Sequence, residues 1–238
     1  MTARRKLAIV GLGKMGRAVE QLASERGWDV VAAIDSSHNR DGRGITPAAL
    51  HDAEVIVEFT TPVAAVPNVR AAVDAGCPIV VGTTGWQDQL PALHAWVTQH
   101  RGAVLAAANF SIGVNAFAEI VAYASRLLAG VGGFDAALIE THHAAKKDAP
   151  SGTALTLREA GAAWHSEIPI TSVRTGYVPG THELIFDAPF ETVRLVHSAR
   201  DRRVFAEGAL AAAAWLPGRV GVFSMRDVLG SARMAGET

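Results

Sequence analysis

The densest polar cluster in the chain is Glu140-Thr141-His142-His143-Ala144-Ala145-Lys146-Lys147-Asp148-Ala149-Pro150-Ser151-Gly152-Thr153-Ala154. Histidine titrates near neutrality and lysine carries a proton at pH 7, so these side chains are equipped to move protons. The cluster ends in a helix start: Ser151 reads as the N-cap, and Gly152 leaves the first amides open to a carboxylate. Adjacent His142 and His143 would point to opposite sides of an extended strand, so both serve one site only if the chain turns there. Taken without context, Lys146 and Lys147 read equally well as solvated loop charges, and the histidines as core or surface residues.

A second constellation lies near the N-terminus. Leu7–Val10 runs into Gly11-Leu12-Gly13-Lys14-Met15-Gly16, a G-x-G-x-x-G between a strand and a helix. Gly11 permits the tight turn, Gly13 lets backbone amides approach a pyrophosphate, and Gly16 lets helix and strand pack closely. Asp35 ends the next strand nineteen positions after Gly16, near the offset of a carboxylate that holds adenosine ribose hydroxyls. Its charge opposes a 2′-phosphate and favours NADH. His38 and Arg40 follow and would neutralise that phosphate if their loop folds back, so NADPH use is also allowed. Gly82-Thr83-Thr84-Gly85 and Ala107-Ala108-Asn109-Phe110-Ser111 fall at strand C-terminal ends, the edge where a doubly wound sheet binds ligands, and are expected to flank the nicotinamide. The competing account makes the glycines a structural turn and Asp35 a turn cap.

These residues need elements to position them. Leu7–Val10, Val30–Ile34, Val55–Phe59, Ile79–Val81 and Val104–Ala107 read as strands buried on both faces. Helical spacing falls between them at Arg17–Glu25, Val63–Ala75 and Gln87–Gln99, with Gly27 and Gly76 placed for left-handed helix ends. The alternation predicts an α/β, Rossmann-type parallel sheet. After a helix at Asn115–Leu128 the rhythm changes. Strands at Phe134–Glu140, Ile170–Thr175, Thr181–Asp187 and Glu191–Ser198, with one helix near Thr153–Trp164, predict a central α+β domain with a mostly antiparallel or mixed sheet. An alanine-rich helix, Phe205–Leu216, is expected to return to the first domain. The predicted division is 1–110 with 205–238 for the dinucleotide-binding domain, and 111–204 for the second domain.

Composition narrows the partners. The 238 residues are 49% hydrophobic with a formal net charge of −1, so the chain lacks the basic field that nucleic acid or an anionic membrane would require. The start through Lys6 is basic, but the apolar run after it is too short for a signal segment. The single cysteine, Cys77, excludes an internal disulfide, suits a reducing compartment and reads as a packed core thiol, with catalytic use as the alternative. A cytoplasmic location and small-molecule partners are expected. No metal-ligand spacing is evident among His142, His143, His182 and His197, and no metal is expected.

The cluster from Glu140 to Ala154 resembles the signature E-x-H-H-x-x-K-x-D-x-P-S-G-T-A of the 4-hydroxy-tetrahydrodipicolinate reductases (dihydrodipicolinate reductases). Similarity extends to Gly82–Gly85, to Ala107–Asn115, and to the end pattern from Phe205 through Trp215-Leu216 to Met225-Arg226-Asp227-Val228-Leu229. One departure is a glycine loop one residue shorter than the family's common G-x-G-G-x-M-G. The resemblance implies NAD(P)H-dependent reduction of a small cyclic dicarboxylate with loss of water, in lysine and diaminopimelate synthesis. It makes His142 the acid/base residue and Lys146 a proton donor, and gives the substrate carboxylate to His143, Gly152 and Thr153. It also implies a homotetramer built through the central sheet. The alternatives are a binding protein that senses NADH without chemistry, and a different two-domain nicotinamide dehydrogenase. Arg174, His182 and Arg202 are spare candidates for carboxylate contacts.

Overall fold

The structure is a computed structural model that describes residues 4–234; Met1–Ala3 of the basic start lie outside the described residues. The chain divides into two compact units, one formed by the residues up to Ser111 together with those from Phe205 onward, the other by Ile112–Val204.

The first unit is built on a six-stranded, all-parallel sheet. Its strands are β1 (Arg5–Val10), β2 (Trp28–Ile34), β3 (Val55–Glu58), β4 (Ile79–Val81), β5 (Ala103–Ala106) and β10 (Gly221–Phe223), in the order β10-β5-β4-β3-β1-β2. The inner strands β3, β4 and β5 are buried along their whole length because both faces are covered. Leu7, Ile9, Val57 and Leu105 pack into one cluster, while Ala8, Val10, Ile56 and Val104 pack into the other. Helices α1 (Lys14–Ala23), α3 (Pro62–Asp74), α4 (Leu90–Gln99) and α7 (Arg203–Trp215) follow the predicted pattern. Gly27 and Gly76 adopt the expected left-handed conformation. Buried Ala206, Ala209, Ala212 and Ala213 of α7 complete the first cluster, so the C-terminal segment does return to this sheet. Cys77 is buried with its thiol on the Ala53 carbonyl, and burial pushes its pKa up to about 12, so it is an inert core group.

Three elements here were not predicted: the short helix α2 (Pro47–Leu50), strand β10, and helix α8 (Met225–Met234). Each of the first two is only three or four residues long, too short for periodicity to register. Strand β10 gains its identity from pairing with Ala103–Leu105, a contact that is not local in sequence.

The second unit holds β6 (Asp135–His142), β7 (Ile170–Arg174), β8 (Thr181–Ala188) and β9 (Glu191–Ser198) in the order β7-β6-β8-β9. The β6/β7 pair is parallel and the other pairs are antiparallel, giving the mixed sheet expected. Helices α5 (Ile112–Val131) and α6 (Gly152–Ala162) cover one face, where Phe117, Val121 and Leu157 meet Leu138, Leu184 and Phe186. By length and composition α5 is the one described helix that could cross a membrane, but Phe117 and Val121 pack as in a core helix. Along β6 the inward residues are Ala136, Leu138, Glu140 and His142. One face therefore begins as core and ends as a row of titratable groups. Burying Leu138 or Phe186 is favourable by about 1.5–3 kcal/mol each, whereas a buried carboxylate is tolerated only if paired.

Candidate active site

Strand alternation puts Glu140 and His142 on the same inward face, two residues apart. Glu140 is fully buried and its partners explain how. Its Oε1 accepts from Arg174 Nη2 at 2.7 Å and from the Ser151 amide at 3.3 Å, and its Oε2 accepts from His142 Nδ1. Burial alone would raise the pKa of this carboxyl. Hydrogen bonds from Arg174, Ser172 and His142 outweigh it and hold the value at about 2. Glu140 is therefore ionised and fixes the proton of His142 on Nδ1.

Burial lowers the pKa of His142 despite Glu140, helped by the nearby charges of Lys146 and Arg174. The ring is neutral at pH 7, and with Nδ1–H donated to Glu140 its Nε2 carries the lone pair. The edge of the ring meets His182, with centroids 5.2 Å apart. His182 is buried and held down to about 4 by burial and then by His142, so it too is neutral. Its Nε2 lies 3.2 Å from Ser151 Oγ, which accepts from the Ala154 amide at 3.2 Å as the predicted N-cap. One hydrogen-bonded set thus joins the histidine to the start of α6. A side chain added at Gly152 would meet no atom within 4 Å, which leaves room for an anion at this helix end.

The chain does turn after His142. His143 is half-buried outside the strand, and its Nε2 accepts from Arg202 Nη2 at 3.3 Å. Lys146 pairs with Asp148 at 2.8 Å, while Lys147 is exposed. Among the spare candidates, Arg174 points inward to Glu140 and His182 to Ser151, so neither is available to a ligand carboxylate in this arrangement. Their positioning roles were missed. Alternation gave a usable signal for the Glu140–His142 pair, but the partners of Glu140 on β7 and of Ser151 on β8 arise from pairing across the sheet.

Glu140, His142 and His182 each bring one possible ligand atom within 4.8 Å of the others. The guanidinium of Arg174 already sits on Glu140, so a cation there would meet a resident positive charge.

In the first unit the glycine loop joins β1 to α1. Gly11 has φ +92°, and a Cβ there would lie 2.1 Å from the Phe59 carbonyl oxygen; at Gly16 it would lie 1.9 Å from the Gly11 carbonyl oxygen. Those two glycines are demanded by the fold. Gly13 is different: a Cβ there meets nothing within 4 Å, and the helix has no side-chain cap. The space over Gly13, beside the amides of Lys14 and Met15, fits a pyrophosphate. Gly13→Val should therefore fold with near-normal thermal stability yet lose nearly all NADH binding, as titrated by NADH fluorescence. Retained binding would place the dinucleotide elsewhere.

Asp35 follows β2, and its Oδ1 accepts from the Ser37 amide and hydroxyl and the His38 amide and lies 2.9 Å from the His38 ring Nδ1. The Ser37 and His38 bonds hold its pKa well below the usual carboxylate range. Asp35 thus caps its own turn, and the His38 ring meets the same oxygen through Nδ1. Thr83 is buried with its hydroxyl on Glu58, and Phe110 is buried with its ring against Phe59, so contacts of either with a dinucleotide would come from backbone. Leu12, Gly82, Ala107 and Asn109 are half-buried at the same edge, and Thr84 and Ala108 are exposed.

A parallel-sheet unit with this glycine loop, joined to a mixed-sheet unit bearing a buried histidine and lysine loop, defines a two-unit nicotinamide-dependent oxidoreductase. Residues 5–110 match the family described as dihydrodipicolinate reductase, N-terminus, and residues 113–229 match dihydrodipicolinate reductase, C-terminus. This chain belongs to the dihydrodipicolinate reductase family. It is 33% identical to the 4-hydroxy-tetrahydrodipicolinate reductase of Christiangramia forsetii, over 94% of this chain and 97% of that one. The reductase of the same name from Rhodopseudomonas palustris is 37% identical, with the same coverage of each. The fold is shared with the dipicolinate-bound dihydrodipicolinate reductase of Paenisporosarcina sp. TG-14, with a TM-score of 0.79, 20% identity, and 93% and 97% of the two chains covered.

Proposed function

We propose that His142 and Lys146 carry the proton transfers of the reaction that family membership assigns to this chain, NAD(P)H-dependent reduction of 4-hydroxy-tetrahydrodipicolinate in lysine biosynthesis. The observation behind this reading is the ionised Glu140 holding neutral His142, with Nε2 left as the base, in one hydrogen-bonded set with the start of α6.

The substrate is a cyclic imine dicarboxylate that loses water and gains a hydride and a proton. Bound nicotinamide supplies the hydride. Hydride addition to the conjugated imine leaves an enamine that must take up a proton, and Lys146 donates it once its ammonium leaves Asp148 for the substrate. His142 Nε2 accepts or returns protons in the same sequence. His143, with the amides of Gly152 and Thr153, holds a carboxylate at the positive end of α6. Gly152→Val is expected to raise the apparent KM for the dicarboxylate while kcat changes little, as read from steady-state kinetics. An unchanged KM would put the carboxylate on another anchor.

The coenzyme is NADH in preference to NADPH, because Asp35 stays ionised and its charge opposes a 2′-phosphate. Arg40 keeps NADPH accessible. The central unit carries the substrate and assembles a homotetramer through the outer face of its sheet, where Val173 and Val196 are exposed. The enzyme works in the cytoplasm, apart from nucleic acid and membrane, and its chemistry needs no metal.

The test is loss of reduced-nicotinamide absorbance, with NADH and NADPH in parallel and the substrate made in place by the synthase that condenses pyruvate with aspartate semialdehyde. Oxidation that depends on the synthase and runs faster with NADH is expected. Coenzyme binding without turnover would support the sensor instead.

A further inference from the structure

Glu58 is fully buried at the C-terminal end of β3, and the proton-transfer chemistry does not use it. Its Oε1 accepts from Thr83 Oγ1 at 3.0 Å, from Asn68 Nδ2 at 3.2 Å, and from Thr60 Oγ1. Thr83 Oγ1 in turn accepts from the Thr60 amide at 2.7 Å, which ties the loop after β3 to the loop after β4. Asn68, itself fully buried on α3, accepts through Oδ1 from Asn39 Nδ2 at 2.8 Å. Asn39 closes its own loop by accepting from the Gly44 amide at 3.1 Å, and its amide bonds the Asp35 carbonyl at 3.0 Å. An unbroken chain of side chains therefore runs from the turn that follows Asp35 to the loop that carries Thr83 and Thr84.

We propose that Glu58 and Asn68 are positioning residues for the coenzyme: their buried chain fixes the adenosine-side turn and the nicotinamide-side loops in one geometry, so that each end of the dinucleotide site depends on the other. This rests on the reading of the first unit as the dinucleotide site. The bare oxygen supports a neutral carboxylic acid at the centre. Oε2 is buried with no partner among the described residues, a costly place for an ionised oxygen. Burial raises the Glu58 pKa over the opposing bonds from Thr60, Thr83 and Asn68, and no charged side chain is among the groups that shift it. A neutral amide should then replace the acid, since glutamine keeps the Oε1 acceptor for the same three donors.

The experiment titrates NADH and ADP-ribose into wild type and the variants Asn39→Ala, Asn68→Ala, Glu58→Ala, Glu58→Gln, Thr83→Val and the Asn39→Ala/Thr83→Val pair. Asn68→Ala and Glu58→Ala should each weaken both ligands by about tenfold, the usual loss for a buried hydrogen-bond partner removed. Glu58→Gln should stay within about twofold of wild type by the same reasoning. Asn39 is only half-buried, so its variant folds even if the core variants do not. The double variant should bind NADH more tightly than the product of the two single losses predicts, because breaking the chain at one end already releases the other. Multiplicative losses at Asn39 and Thr83, or a Glu58→Gln variant as weak as Glu58→Ala, would overturn the proposal while NADH still bound to wild type. Wild type that bound no NADH would overturn the dinucleotide reading, and the inference with it.

Discussion

His142→Ala is expected to cut turnover by about 10²–10⁴-fold, the usual range for a positioned acid/base group, while NADH binds as in wild type. The alanine removes the buried ring whose Nε2 carries the lone pair while its Nδ1 is held by ionised Glu140. It leaves Glu140 paired with Arg174 and the cap on α6 intact. Lys146→Ala should lose a similar amount, because the proton for the enamine must come from a group that is charged at pH 7. Lys147 is the internal control: it is adjacent, of the same residue type and exposed, so Lys147→Ala should turn over near normally. Near-normal turnover in His142→Ala would remove the acid/base assignment, and loss of activity in Lys147→Ala equal to that in Lys146→Ala would show that only the charge of the loop matters.

Glu140→Ala should lower stability by about 3–5 kcal/mol in chemical denaturation, the cost of stripping one partner from a buried ion pair. Arg174 would keep its charge with only carbonyl partners, Asp148 among them, and its Nε has no partner among the described residues. The Ser151 amide would lose its acceptor, and His142 the group that sets its tautomer. A loss under about 1 kcal/mol would instead mean that the guanidinium behaves as an exposed one. Acid should reproduce the effect reversibly. The folded carboxyl titrates near 2 against the usual 4.5, so the folded state holds that proton more weakly than the unfolded chain. Its stabilisation is complete above 4.5 and is lost as the pH falls toward 2. Wild type should lose more stability across that window than Glu140→Gln, which has nothing to titrate there.

Much of this molecule was legible in its sequence, and what was not has a common cause. The five apolar strand runs, the glycine loop and the Ser151 cap are local patterns, and each lies where periodicity or capping chemistry put it. The motif named the residues of the loop after β6 without saying what holds them. Arg174 reads as a strand-surface cation until β7 pairs in parallel with β6 and brings its guanidinium over Glu140. His182 reads as a spare ligand until β8 pairs with β6 and sets it opposite Glu140. Asn68, Glu58 and β10 likewise depend on partners distant in sequence. Asp35 was legible in position but ambiguous in role, because one carboxylate can cap a turn and still face a ribose.

The return of the chain to its first sheet bears on how the protein is made. During synthesis, residues 5–110 emerge with β5 as an open edge, and with a core that lacks Ala206, Ala209, Leu210 and Ala213. An unpaired edge and an uncovered apolar face are liabilities that persist until the last segment leaves the ribosome. The inserted unit, by contrast, is a single continuous stretch with its own core, and can fold before the unit that flanks it is complete. The first unit therefore acquires its final edge only after the whole second unit has been translated. A protein truncated after residue 204 would leave the first sheet with its edge and one face exposed.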